Sequence, residues 1–104
     1  MGKYKIELST KAKTDLKGIV SHIKNKLLEP VIAQKYAKLI KEKIKSLEYF
    51  PEKFALIDSD IIKRSDIRKL VVKNYIVFYR VNRDKKVVNI ERILYGGRDW
   101  QNIL

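Results

Sequence analysis

The sequence contains no cysteine. That excludes a disulfide framework, a thiolate metal site and a thiol nucleophile, and it agrees with a reducing compartment. Histidine occurs once, at His22. No cluster of Asp, Glu and His has a ligand spacing, so neither a metal nor another cofactor is expected. Glycine and proline are scarce, at four and two residues. With 45% hydrophobic residues spread along the length, this is the composition of a folded chain and not of a disordered tail. Long apolar runs are missing too. The longest is "YIVFY", Tyr75 to Tyr79, far short of the ~20 residues a membrane helix needs. The opening "MGKYKIELS" lacks the apolar stretch of a secretory signal. These absences point to a soluble, cytoplasmic protein with no membrane partner. At 104 residues the expectation is one domain spanning 1–104, long enough to bury roughly two-thirds of its unfolded surface.

Negative charge is the other shortage. Asp and Glu number 12 against 24 Lys and Arg, a formal net charge of +12. Such a field attracts polyanions: nucleic acid, the ribosome or an acidic protein. Solvated helix faces account for many of the lysines. They do not account for the arginines, which are absent before Arg64 and then recur at Arg68, Arg80, Arg83, Arg92 and Arg98.

What is present is clear periodicity. Tyr4, Ile6 and Leu8 alternate with Lys3, Lys5 and Glu7, which predicts a short half-buried strand. Ser9 or Thr10 can cap a following helix whose Ala12, Leu16, Ile19, Ile23 and Leu27 share one face; Gly18 weakens that helix without breaking it. Pro30 suits the first turn of a second helix, striped by Ala33, Tyr36, Ala37, Ile40, Ile44 and Leu47 and ended by Pro51. Neither helix can bury its stripe alone, so the two form an antiparallel hairpin. After an irregular stretch to Arg64 come three strand-like runs, Ile67 to Val72, Tyr75 to Val81 and Val87 to Leu94. Lys73-Asn74 fits a tight turn, because Asn tolerates positive φ, and "NRDKK" makes a longer hairpin loop. The middle run is apolar on both faces, as an inner strand covered by helices on one side would be. The order is β-α-α-β-β-β, an α+β fold.

Chemistry-bearing motifs are few. His22 reads as an ordinary boundary residue beside the apolar stripe. Gly96-Gly97 follows a strand and reads as a turn, not a phosphate loop, and no Ser/His/Asp signature occurs. A basic, aromatic-rich sheet remains. Metal-free RNA cleavage would need a base for the 2′-hydroxyl, cations for the phosphorane and an acid for the leaving oxygen. Lys69, Arg68, Arg80 and Arg98 supply cations, but no residue stands out as the proton donor or acceptor. Tyr75, Tyr79, Tyr95 and Trp100 could stack on bases. Core packing is the better reading for Tyr79, whereas Tyr95 and Trp100 flank the glycine turn and are more open.

Taken in order and spacing, "YKIELSTKAKTDLKGIVSHI", "SLEYFPE", "IRKLVVKNYIVFYRV" and "RILYGGRDWQNIL" resemble the RelE/ParE superfamily of toxins from bacterial type II toxin-antitoxin, or plasmid stabilisation, pairs. The likeness covers nearly the whole chain. It implies an N-terminal helical hairpin packed on a mostly antiparallel four-stranded sheet, the first strand beside the last ones, and basic strand residues on the face the helices leave open. It also implies a cognate antitoxin that binds through an extended or helical tail, which this charge suits if the tail is acidic.

Two targets follow from the resemblance. Members that cut mRNA in the ribosome place basic residues where this chain has Ile67 and Lys69, an arginine where it has Ile76, an arginine at Arg98 and a tyrosine at Leu104. Lys69 and Arg98 match, and would be catalytic only in such an endoribonuclease, with Tyr95 or Glu48 as stand-in proton carriers. The tail "ILYGGRDWQNIL" is more similar to the ParE branch, whose members inhibit DNA gyrase by binding. On that reading Arg64, Arg68, Lys73, Arg80, Arg92, Tyr95 and Trp100 contact the target or nucleic acid, and the C-terminal residues form a recognition edge. A third class is a non-toxic nucleic-acid-binding relative. The structural alternative is that Arg98 and Asp99 pair locally while Trp100 and Leu104 cover the open end of the core.

Overall fold

The computed structural model describes residues 3–54, 56 and 66–97. They form β1 (Lys5–Leu8), α1 (Thr10–Ser21), α2 (Pro30–Lys45), β2 (Arg68–Val72), β3 (Tyr75–Asn82) and β4 (Val87–Tyr95). The sheet order is β1-β4-β3-β2. β2, β3 and β4 form an antiparallel meander, and β1 pairs with β4 in parallel. The expected α+β order and mostly antiparallel sheet are thus present, with β1 beside the last strand.

Ser9 is the residue that caps α1. Its Oγ accepts the Ala12 N–H at 3.0 Å and donates to the Glu91 carbonyl at 2.7 Å, while its own N–H donates to the Ile90 carbonyl. One residue therefore starts the helix and ties its first turn to β4. The apolar stripe runs through Ala12 and Ile23, both buried, with Leu16 and Ile19 packed against the core. Leu27 departs from the expected stripe and is 56% exposed. The cause is a π-helical turn over His22–Lys26, in which the Leu27 N–H reaches back to the His22 carbonyl. The wider turn holds an extra residue, and this rotates Leu27 out of phase. Leu28 then adopts φ 54° and ends the helical path. In α2, Pro30 occupies the first turn as its fixed φ favours, and Ala33, Ile40 and Ile44 are buried.

The two helices cover one face of the sheet. Tyr75, Val77 and Tyr79 of β3 meet Leu70 and Val72 of β2 and Val88, Ile90 and Ile93 of β4 in this core, joined from the helices by Ala12, Ile40 and Ile44. Register alternation puts Lys69, Val71, Ile76, Phe78 and Arg80 on the other face. A bulge breaks the β3–β4 register: Phe78 opposes Arg92 but Tyr79 opposes Ile90, so β4 carries one residue more.

Two further features depart from simple expectation. In the β2–β3 turn the positive φ, 56°, falls on Lys73 and not on Asn74; the Asn74 carbonyl instead accepts the Gly96 N–H at 2.8 Å, which ties the turn to the end of β4. Tyr79, fully buried as expected of a core residue, donates its hydroxyl to the Pro51 carbonyl at 2.6 Å and so fixes the chain leaving α2.

Two stability measurements follow. Lys73→Gly removes the left-handed penalty of a side chain and should raise unfolding free energy by about 1 kcal/mol, read by urea denaturation. Burial pushes the Tyr79 hydroxyl up to about 12 from an ordinary 10, and raises Tyr75 by the same cause. A phenol whose folded pKa is raised stabilises the protein fully below pH 10 and loses that contribution as the pH climbs towards 12. Tyr79→Phe should therefore cost about 1–2 kcal/mol at neutral pH yet show a shallower alkaline loss, with the remainder from Tyr75. An unchanged alkaline limb would refute the assignment.

Candidate functional site

β2 is an edge strand, and its open-face residues Lys69 and Val71 are both exposed, Val71 at 59%. Beside them the end of the sheet forms a shallow pocket of about 270 Å3, lined by Val71, Lys73, Asn74, Tyr75, Ile76, Tyr95, Gly96 and Gly97. Tyr95 is half exposed and packs edge-on against Tyr75 with centroids 5.9 Å apart, while Tyr75 packs edge-on against Tyr36 of α2 at 6.0 Å. This aromatic ladder runs from the helices to the surface and holds the Tyr95 ring at a fixed angle. A Cβ at Gly97 would lie 2.5 Å from the Tyr95 ring, so any larger residue there would displace the ring. Lys73 and Tyr95, predicted from sequence, are thus brought to one pocket. Val71 and Ile76 were not predicted for it; their signal was the period-two continuation of Lys69 along β2 and its partner strand.

The arginines separate by face. Arg80 lies on the open side, its Nε donating to Glu91 at 2.6 Å and its Nη1 facing Asp66 at 3.5 Å, in a polar cleft of about 440 Å3 shared with Asn82, Arg83 and Asn89. Glu91 is the extra residue at the bulge, which turns its carboxylate towards Arg80. Arg68 and Arg92, expected on the open face, point to the helix side. Arg68 starts β2 in phase with Leu70 and Val72, and donates to the Glu52 carbonyl at 3.1 Å and the Phe54 carbonyl at 2.7 Å. Arg92 follows Val88 and Ile90 at two-residue spacing and meets α1, where Nε and Nη2 donate to the two Asp15 oxygens at 2.7 and 2.8 Å. The same Asp15 also accepts the Ile93 N–H at 3.0 Å. Both guanidinium groups are mostly buried.

Glu52 gathers the second ion cluster. Its carboxylate accepts from Arg83 through two nitrogens and faces Arg68. The Arg83 hydrogen bond is the main reason its pKa falls below the ordinary carboxylate value, against a smaller opposing effect of desolvation. Glu48, weighed as a proton carrier, pairs with Lys3 at 3.3 Å beside β1, at the sheet edge opposite Lys69. Tyr95 is in register with Tyr75 and so lies on the face opposite Lys69. Neither stand-in meets Lys69. Arg64, Arg98 and Trp100, with Asp99 and Leu104, lie outside the described residues. Among the described residues no group of three His, Asp or Glu can hold a metal ion, and no helix is long and apolar enough to cross a membrane.

The family model described as ParE toxin of type II toxin-antitoxin system, parDE, matches residues 6–100. Among solved structures, the chromosomal ParDE TA system from P. aeruginosa is similar at 25% identity and a TM-score of 0.73, covering 89% of this chain and 96% of that one. The toxin-antitoxin complex RelBE2 from Mycobacterium tuberculosis shares the fold at 18% identity and a TM-score of 0.62, covering 89% and 98%. So does the archaeal RelE-RelB complex from Pyrococcus horikoshii, at 22% identity and 0.62, covering 92% and 98%. Among curated protein sequences, none matches.

The Asp15–Arg92 pair should behave as a structural bolt. Breaking a mostly buried pair from one side leaves a charge uncompensated and costs about 3–5 kcal/mol, so Asp15→Ala should lower the denaturation midpoint strongly. Arg80→Ala, acting at a more exposed pair, should cost about 1 kcal/mol or less. Equal losses in the two variants would contradict this division.

Proposed function

Because the chain belongs to the family of ParE toxins of type II toxin-antitoxin systems, we propose that it arrests growth by binding DNA gyrase, and that a cognate antitoxin neutralises it. The observation that carries the binding reading is the company Lys69 keeps. Its open-face neighbours are the exposed Val71, the partly buried Ile76 and the buried Phe78, while among the described residues the carboxylates on that side, Glu91 and Asp66, are engaged by Arg80. RNA cleavage requires a base and an acid in reach of the same phosphate as the cation. An exposed lysine beside the exposed Val71, at the end of the sheet where Lys73 and Tyr95 share a pocket, is better suited to recognising a protein surface. Lys69, Lys73, Arg80 and Tyr95 are the described residues proposed to contact the target. Arg64, Arg98 and Trp100 remain proposed contacts on their sequence pattern, and Arg68 and Arg92 serve by holding the sheet in shape.

The relatives of known structure that carry an antitoxin support the partner. The net charge of +12 favours a partner segment rich in Asp and Glu. A second reading, ribosome-dependent endoribonuclease, draws on the exposure of Lys69 at one of the positions that match such enzymes.

Inducible expression separates the two. Chromosomal double-strand breaks with intact transcripts are the expected outcome, and Tyr95→Ser together with Lys73→Glu should relieve toxicity about tenfold or more while the melting temperature stays within a few degrees. New transcript 5′ ends at codon-related positions, abolished by Lys69→Ala, would establish the ribonuclease instead.

A further inference from the structure

The segment "YFPEK" between α2 and β2 contains an anomaly that the toxin reading leaves unused. Tyr49 and Phe50 are 55% and 62% exposed, although large aromatics ordinarily seek the core. Phe50 also sits at φ 54°, ψ 54°, a left-handed conformation that a side chain disfavours and that a residue before proline avoids. The segment is not loose. The Tyr79 hydroxyl holds the Pro51 carbonyl, Arg68 holds the Glu52 and Phe54 carbonyls, and Arg83 and Arg68 hold the Glu52 carboxylate. Core side chains are therefore committed to fixing a strained backbone whose visible result is two aromatic rings turned to solvent.

Those rings border a cleft of about 610 Å3 lined by Tyr4, Tyr49, Phe50, Pro51, Glu52, Lys53 and Lys86, with largely apolar walls. Its size suits one or two large side chains. Its charged borders are the exposed Lys53 and Lys86, and the latter is itself held at φ 53°. The carboxylate in that lining, Glu52, is already paired with the mostly buried Arg68 and the exposed Arg83. We propose that this cleft is a docking site for an acidic protein segment, which inserts an aromatic or aliphatic anchor between Tyr49, Phe50 and Pro51 and lays flanking carboxylates on Lys53 and Lys86. A preformed pocket with aromatic walls is the usual setting for such an anchor. Single-stranded nucleic acid fits less well, because two lysines at one cleft offer no track for a phosphate backbone. The inference holds whichever target the toxin has.

The test uses the full chain and short synthetic peptides, one acidic with a central tryptophan, one with glycine in its place, and an oligothymidylate, read by fluorescence anisotropy in physiological salt. The tryptophan peptide should bind about tenfold tighter than the glycine peptide, and this advantage should vanish in Phe50→Gly and Tyr49→Ser. Glycine suits φ 54°, so Phe50→Gly should keep or raise the melting temperature, which separates docking from folding. Equal binding of the two peptides, an advantage that survives in both variants, or oligothymidylate binding with the same sensitivity to Phe50→Gly would each overturn the proposal. So would self-association of the chain that Phe50→Gly abolishes, because the occupant would then be a second copy.

Discussion

One carboxylate joins the two layers of this protein. The bulge in β4 adds a residue to the strand beside Arg92, whose guanidinium lies against the helices, and beside Ile93, whose N–H is bound by a side chain. An unpaired donor and a mostly buried guanidinium would each be costly. Asp15, one turn and a half into α1, accepts from both. The angle of α1 on the sheet, the burial of Ala12 and the direction of Arg92 all depend on that meeting. Ser9 completes the joint from the other end of the first turn by capping α1 and bonding to Glu91. The irregularity in the sheet is thus the place where helix and sheet are fastened, and the same extra residue gives Glu91 to Arg80 on the far side.

A second joint holds the chain after α2. Tyr79, Arg68 and Arg83 come from β2, β3 and the loop that follows β3, yet all three bind the Pro51 to Phe54 segment. The basic residues of the sheet therefore divide between two tasks. Arg68 and Arg92 neutralise carboxylates and carbonyls inside the molecule, whereas Lys69, Lys73 and Tyr95 are presented outward. A net charge of +12 overstates what any one face offers a partner, because several of its arginines are spent on internal pairs.

The strands and helices were legible because their periodicity is undisturbed: Ile6 and Leu8 in β1, Leu70 and Val72 in β2, and the α2 stripe through Ile44 all face where their spacing requires. The placement of β1 beside the last strands was legible only through family resemblance, since no local pattern names a strand's distant neighbour; its parallel direction came from the structure. Leu27 was misplaced because a π turn changes the phase after His22, and nothing in "HIKNK" announces one. Lys73 holds the left-handed φ that was expected of Asn74, whose carbonyl accepts the Gly96 N–H. The helix-side directions of Arg68 and Arg92 agree with the alternation of Leu70 and Val72 and of Val88 and Ile90. Their partners, the Glu52 and Phe54 carbonyls and Asp15, lie elsewhere in the chain and no local pattern names them.

The pairing of β1 with β4 also orders events in time. Ser9 and Glu91 are 82 residues apart, and the register that joins their strands closes almost the whole chain into one loop. Contacts of such range form late, after local hairpins have gathered their ends. As the chain leaves the ribosome, its first strand must wait for its last, with the apolar side of the helical hairpin uncovered in the interval. The sheet cannot be completed piecemeal, so whatever it does begins only after β4 has been synthesised.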